Sequence, residues 1–138
     1  MKFNRVAASA AILGVLLGGS AHAQQLIGLT PKTADAANSL QVKAAPGSVY
    51  YVAATNETAT SGLLIGYNST TVPSAGSLTA ALIVACVSLP ASGTVVIDHQ
   101  PGPPTNFTVG ITFLISSALT CGTYTTGTVT GFMSVKYQ

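Results

Sequence analysis

The chain has 138 residues, of which 48% are apolar and only 6% charged: five Lys and Arg, three Asp and Glu. A surface that neutralises nucleic-acid phosphates needs clustered Lys and Arg, so nucleic acid is excluded as a natural partner. With three carboxylates in all, hydrolysis by paired acids has little to draw on.

Lys2 and Arg5 open the chain, and Val6 to Gly19 follow as an unbroken run of small and apolar residues. Ala21-His22-Ala23 then supplies small residues where signal peptidase reads them, which predicts a signal peptide over 1–23 cleaved between Ala23 and Gln24. The apolar run of about 14 residues is short of the roughly 20 that a spanning helix needs, so the mature chain is expected to be exported without a membrane span. Its destination is then the periplasm, the cell surface or the medium. The mature chain keeps Lys32, Lys43 and Lys136 against Asp35, Glu57 and Asp98 and is formally neutral. Without self-repulsion, association with copies of itself or with another surface is favoured.

Residues 24–39 carry little periodicity and read as an N-terminal arm or irregular leader ahead of one domain over 40–138. Beyond them, helix formers are sparse, and turn residues recur every eight to twelve positions, the pattern of an all-β domain. Strands are expected at Leu40 to Ala44, Ser48 to Ala54, Leu63 to Tyr67, Leu82 to Ser88 and Thr94 to Asp98. Ser77 to Ala85 would also suit a short helix, and Ile83, Val84 and Val87 favour strand from about Leu82. The clearest alternation is Phe107, Val109, Ile111, Phe113 and Ile115, which predicts one strand from Phe107 to Ile115 with those five side chains in the core. Another strand is expected near Tyr124 to Thr130. In the last one, Met133, Val135 and Tyr137 share a face, with Ser134 and Lys136 opposite. Between these runs lie the turn clusters 45–47, 56–62, 68–76, 90–93 and 100–104, rich in Pro, Gly and Asn. Seven or eight such strands bury their faces most simply as a single antiparallel β-sandwich, jelly-roll or immunoglobulin-like.

Cys86 and Cys121 are the only cysteines. In an exported chain they read as one structural disulfide, with a zinc site completed by His99 as the competing reading; that reading has no fourth ligand. Other chemistry is thin. Asp98-His99 looks like an acid–base pair, but strand neighbours point to opposite faces. No nucleophile elbow, phosphate-cradling glycine loop or acidic calcium loop occurs, so no catalytic residue, cofactor or metal is expected. Asn56-Glu57-Thr58, Asn68-Ser69-Thr70 and Asn106-Phe107-Thr108 are glycosylation-type triplets that mark turns. Tyr50, Tyr51, Tyr67, Tyr124 and Tyr137 either line the core margin or offer flat faces to a glycan or protein.

Gly47-Ser48-Val49-Tyr50, Ser61-Gly62-Leu63-Leu64-Ile65, Thr71-Val72-Pro73, Leu89-Pro90-Ala91, Val95-Val96-Ile97, Phe113-Leu114-Ile115-Ser116-Ser117, Leu119-Thr120-Cys121 and Gly131-Phe132 follow one another in order. In this order the chain resembles a group of small phage- and prophage-associated β-sandwich proteins. That resemblance implies a virion-type structural role with no catalytic or cofactor residue, and it covers about two thirds of the chain. The signal peptide departs from it, because virion proteins assemble in the cytoplasm. The chain is also similar to chaperone–usher pilins in its export, single disulfide and penultimate Tyr137, and departs from them in the placement of its cysteines. The expectation is a non-enzymatic structural or assembly protein of the envelope or of virion-associated type. The alternatives are a monomeric glycan- or receptor-binding module and, as a minor reading, a pilus subunit.

Overall fold

The computed structural model describes residues 29–138; the segment 1–23 and the Ala23–Gln24 junction lie outside the described residues. Eleven strands follow: β1 (Thr30–Ala37), β2 (Ser39–Lys43), β3 (Gly47–Asn56), β4 (Gly62–Asn68), β5 (Gly76–Ser77), β6 (Ile83–Leu89), β7 (Thr94–Asp98), β8 (Thr105–Phe107), β9 (Ile111–Ser116), β10 (Thr123–Tyr124) and β11 (Gly131–Tyr137). A single 3-10 turn over Ala80–Leu82 precedes β6, so the ambiguous stretch before Ile83 is helical for one turn and extended thereafter.

One sheet has the order β1-β11-β3-β7 and the other β2-β9-β4-β6, every pair antiparallel. The chain changes sheet at each step from β1 to β4, stays in its sheet from β4 to β6, then crosses again to β7, to β9 and to β11. This strand order is that of a jelly roll, which decides between the two sandwich types the sequence left open. β7 and β8 both pair with β3, end to end, Thr94 to Asp98 against Thr55 to Tyr51 and Thr105 to Phe107 against Val49 to Gly47. They are one edge strand interrupted at 99–104, where Pro101, Pro103 and Pro104 have no N–H to give to a ladder.

Between the two sheets lies the main core: Leu40, Val42, Val49, Val52, Leu64, Leu89, Phe107, Ile111, Phe113, Ile115, Val129, Met133 and Val135. Each fully buried large side chain contributes about 1.5–3 kcal/mol. Phe107 and Phe113 meet edge to face, their ring centroids 5.9 Å apart. A second cluster, Ile65, Tyr67, Leu78, Leu114 and Tyr124, occupies the outer side of the β2-β9-β4-β6 sheet. It is covered by the β5–β10 ladder, whose strands lie in the long β4–β6 and β9–β11 connections. The disulfide Cys86–Cys121, with Cα atoms 5.9 Å apart, ties the second of these connections to edge strand β6.

Four expectations are corrected here. Phe107 to Ile115 is not one strand: β8 ends at Phe107 in one sheet and β9 begins at Ile111 in the other. Val109 sits on the crossover between them, 44% exposed, rather than in the core. The break has a local cause, since the Asn68 Oδ1 accepts from the Val109 and Gly110 amides (2.8 and 3.3 Å) and holds the backbone off the ladder. A Cβ at Gly110 would sit 2.5 Å from the Ser69 carbonyl oxygen, so only glycine passes there. Residues 30–37, expected as leader, form edge strand β1, which shows no period of two because six of its eight residues are exposed. The strand expected at Tyr124 to Thr130 is reduced to Thr123–Tyr124.

Phe113→Ala is expected to lower unfolding stability by about 3–5 kcal/mol, and Val109→Ala by less than about 0.5 kcal/mol; urea titration reads both. Replacing Cys86 and Cys121 by Ser should lower unfolding stability by at most about 4 kcal/mol for a 35-residue separation, read as a lower urea midpoint, with the denaturant slope reporting any change in the unfolded state.

Candidate interaction surface

The two sheets differ in what lies outside them. Over β9 and β4 the second cluster covers the surface, whereas among the described residues nothing lies over the outer side of β1-β11-β3-β7. The same alternation that sends Val52, Ala54, Met133 and Val135 inward sends their neighbours outward. Register then fixes three rows across the strands β11, β3 and β7. These are Lys136–Tyr51–Asp98, Ser134–Ala53–Val96 and Phe132–Thr55–Thr94.

Val96 is 54% and Phe132 38% exposed, while the centre of the face carries only Ala53, Ser134 and the Thr55–Thr94 hydroxyl pair (2.9 Å). The Lys136 ammonium lies 5.2 Å from the centroid of the Tyr51 ring, a contact worth about 0.5–1 kcal/mol at an exposed site. Opposite it, Asp98 accepts the Gln100 amide on Oδ1 (2.9 Å). Asp98 and His99 do not form a pair, because His99 Nε2 shares its hydrogen bond with Thr105 Oγ1 (2.8 Å).

At the start of β3, Ser48 Oγ donates to Asn106 Oδ1 (2.7 Å) and the Tyr50 hydroxyl to Gln138 Oε1 (3.4 Å). Tyr67 and Tyr124 are buried in the second cluster, and Tyr50, Tyr51 and Tyr137 are half-buried. Burial pushes the Tyr124 phenol above its ordinary value, and its hydroxyl donates to the carbonyl and Oδ1 of Asn38 (both 3.3 Å). Asp35, placed by the sequence in a leader, lies on β1 and caps the Ala36 amide (3.0 Å). Among the described residues no group of three His, Cys, Asp or Glu could hold a metal ion, and no helix is long and apolar enough to cross a membrane.

Two of the glycosylation-type asparagines turn out to be buried clamps. Asn56 donates from Nδ2 to the Thr60 and Pro90 carbonyls (2.8 and 2.9 Å) and accepts on Oδ1 from the Thr58 amide and hydroxyl (2.9 and 2.8 Å). It joins the β3–β4 turn to the β6–β7 turn. Asn68 holds the β8–β9 crossover and donates to Thr108 Oγ1 (2.8 Å). Only Asn106 of the three is exposed. Asn–X–Thr patterning in the sequence signals turn chemistry but not burial, so these clamps were not foreseeable as such.

Comparison with protein-family models, with curated proteins and with solved structures finds no match.

Asn56→Ala removes four hydrogen bonds made by a buried side chain, two to the Thr60 and Pro90 carbonyls and two from the Thr58 amide and hydroxyl, and is expected to lower unfolding stability by about 1–3 kcal/mol. Asn106→Ala, at an exposed position, should lower it by less than about 0.5 kcal/mol. Chemical denaturation of both variants checks the difference.

Proposed function

We propose that this chain is an exported structural or assembly protein, of cell-envelope or virion-associated type, that works by contact rather than by turnover. The observation that carries the reading is the β11–β3–β7 face, left uncovered by the described residues, where Val96 and Phe132 stay exposed while a second cluster covers β9 and β4 of the other sheet. An antiparallel sheet facing water ordinarily presents polar residues there. The disulfide fits an oxidising compartment, in line with the signal peptide expected over 1–23. The ionisable groups are scattered, and Asp98 and His99 bond to different partners, whereas a catalyst gathers acid, base or nucleophile in one cleft. The jelly roll is shared by viral capsid domains and lectins, an analogy of fold that agrees with the phage-type resemblance and carries no site with it.

A second reading, a monomeric glycan-binding module, draws on Tyr50, Ser48, Asn106 and Gln138 at the β3–β8 edge, where an aromatic ring lies among amide and hydroxyl groups. Crosslinking the exported protein in its own compartment separates the two. The contact reading expects crosslinked species above monomer mass that are lost in Phe132→Glu and retained in Tyr50→Ala. Monomer alone, with a binding to envelope glycan that Tyr50→Ala removes, would replace the contact reading by the second one.

A further inference from the structure

Resting on the contact reading, we infer that the β11–β3–β7 face is self-complementary and pairs with the same face of a second copy about a two-fold axis running along β3. A two-fold rotation about that axis leaves β3 facing β3 and exchanges its neighbours, so β11 of one copy faces β7 of the other. In the first row Lys136 then meets Asp98 of the second copy, twice by symmetry, with Tyr51 against Tyr51 between the two pairs. In the second row the exposed Val96 meets the small Ser134, with Ala53 against Ala53. In the third row Phe132 meets Thr94, with Thr55 against Thr55.

Each bulky side chain on one flank thus lies opposite a short one on the other, and each charge opposite its counterpart. That matching is what an isologous interface requires, since one patch must complement itself. Packed sheets stand about 10 Å apart, a gap that an extended Lys and a short Asp close from opposite sides. No other strand axis does this: turning the face about β11 or β7 sets neither charge against its opposite.

Three strands about 4.8 Å apart and three rows about 6.8 Å apart give a projected face of roughly 300 Å² per copy. A standard stable interface buries about 800 Å² per partner. The pairing therefore belongs to the weak, concentration-dependent class, and its charged row lies at the rim, where salt screens it.

Sedimentation velocity of the disulfide-bonded protein, from micromolar to millimolar concentration, tests this with Lys136→Asp, Asp98→Lys and the double exchange. The native protein should dimerise with rising concentration, less at high salt. Each single exchange places like charges opposite one another in both pairs and should weaken dimerisation about tenfold or more. An equimolar mixture of the two single variants should form a heterodimer, and the double exchange should restore the homodimer. Val96→Glu, at a position open enough to leave the fold intact, should also give monomer, with an unchanged melting temperature confirming the fold. Dimers that persist unchanged in both single variants would overturn this geometry and leave the contact reading standing. A native protein that stays monomeric throughout and yields no crosslinked species in its own compartment would overturn both.

Discussion

Everything in this sandwich follows from the burial of β9 on both of its faces. All six residues from Ile111 to Ser116 are buried, yet only Ile111, Phe113 and Ile115 belong to the core between the sheets. The other three, Thr112, Leu114 and Ser116, need a second layer above them. Among the described residues no α-helix lies there; instead two connections of the jelly roll lengthen and pair as β5 and β10. Thr112 reaches the Ser69 carbonyl (3.0 Å), and Ser116 donates to Thr123 and accepts from Ala118 and Thr125. The polar groups are thereby satisfied within the cover itself, and among the described residues no buried side-chain nitrogen or oxygen lacks a partner.

That cover is thin, with two-residue strands, and it is short of apolar area to hold it down. Leu78 and Tyr124 provide most of it. The Leu78 amide bonds to the Gly122 carbonyl (2.8 Å), and one residue before Gly122 the disulfide fastens the loop to β6. A covalent tie is well placed where packing is weakest, since it limits local opening of a layer whose loss would bare Ile65, Tyr67 and Leu114. Among the described residues nothing comparable covers the opposite sheet. The asymmetry between a sealed side and an open side is therefore built into the connections, not into the sheets.

Period-two alternation carried the fold in the sequence wherever a strand has one buried and one open face. Met133 and Val135 against Ser134 and Lys136 are the plain case, and Thr94 to Asp98 appears with the same bounds in the structure. Alternation falls short where that condition fails. β1 meets the core only through Ala34 and Ala37 and reads as leader; in β9 the period of two places Ile111, Phe113 and Ile115 in the core, as found, but does not show that Thr112, Leu114 and Ser116 opposite them are buried as well. Phe107, Val109 and Ile111 keep the right spacing by coincidence across a change of sheet, which only the Asn68 clamp and the closeness of Gly110 to Ser69 reveal. The cysteine pair was legible from their number and the expected export, because no other cysteine competes.

The open face was half legible. Once Met133 and Val135 point inward, Phe132 must point outward, but Val96 has Val95 and Ile97 beside it, and all three suit a strand equally well. What no single strand records is the lateral order that sets Lys136, Tyr51 and Asp98 in one row, since they come from three strands far apart in the chain. Register supplies it, and the buried side fixes the register: a slip of one residue in β11 would expose Met133 and Val135 to water and turn Phe132 and Lys136 into the core. The surface pattern is thus enforced from below. In a chain with six charged residues after Gln24, specificity of contact cannot come from a broad electrostatic field. It has to come from where individual side chains are held, and the same hydrophobic alternation that builds the core is what holds them.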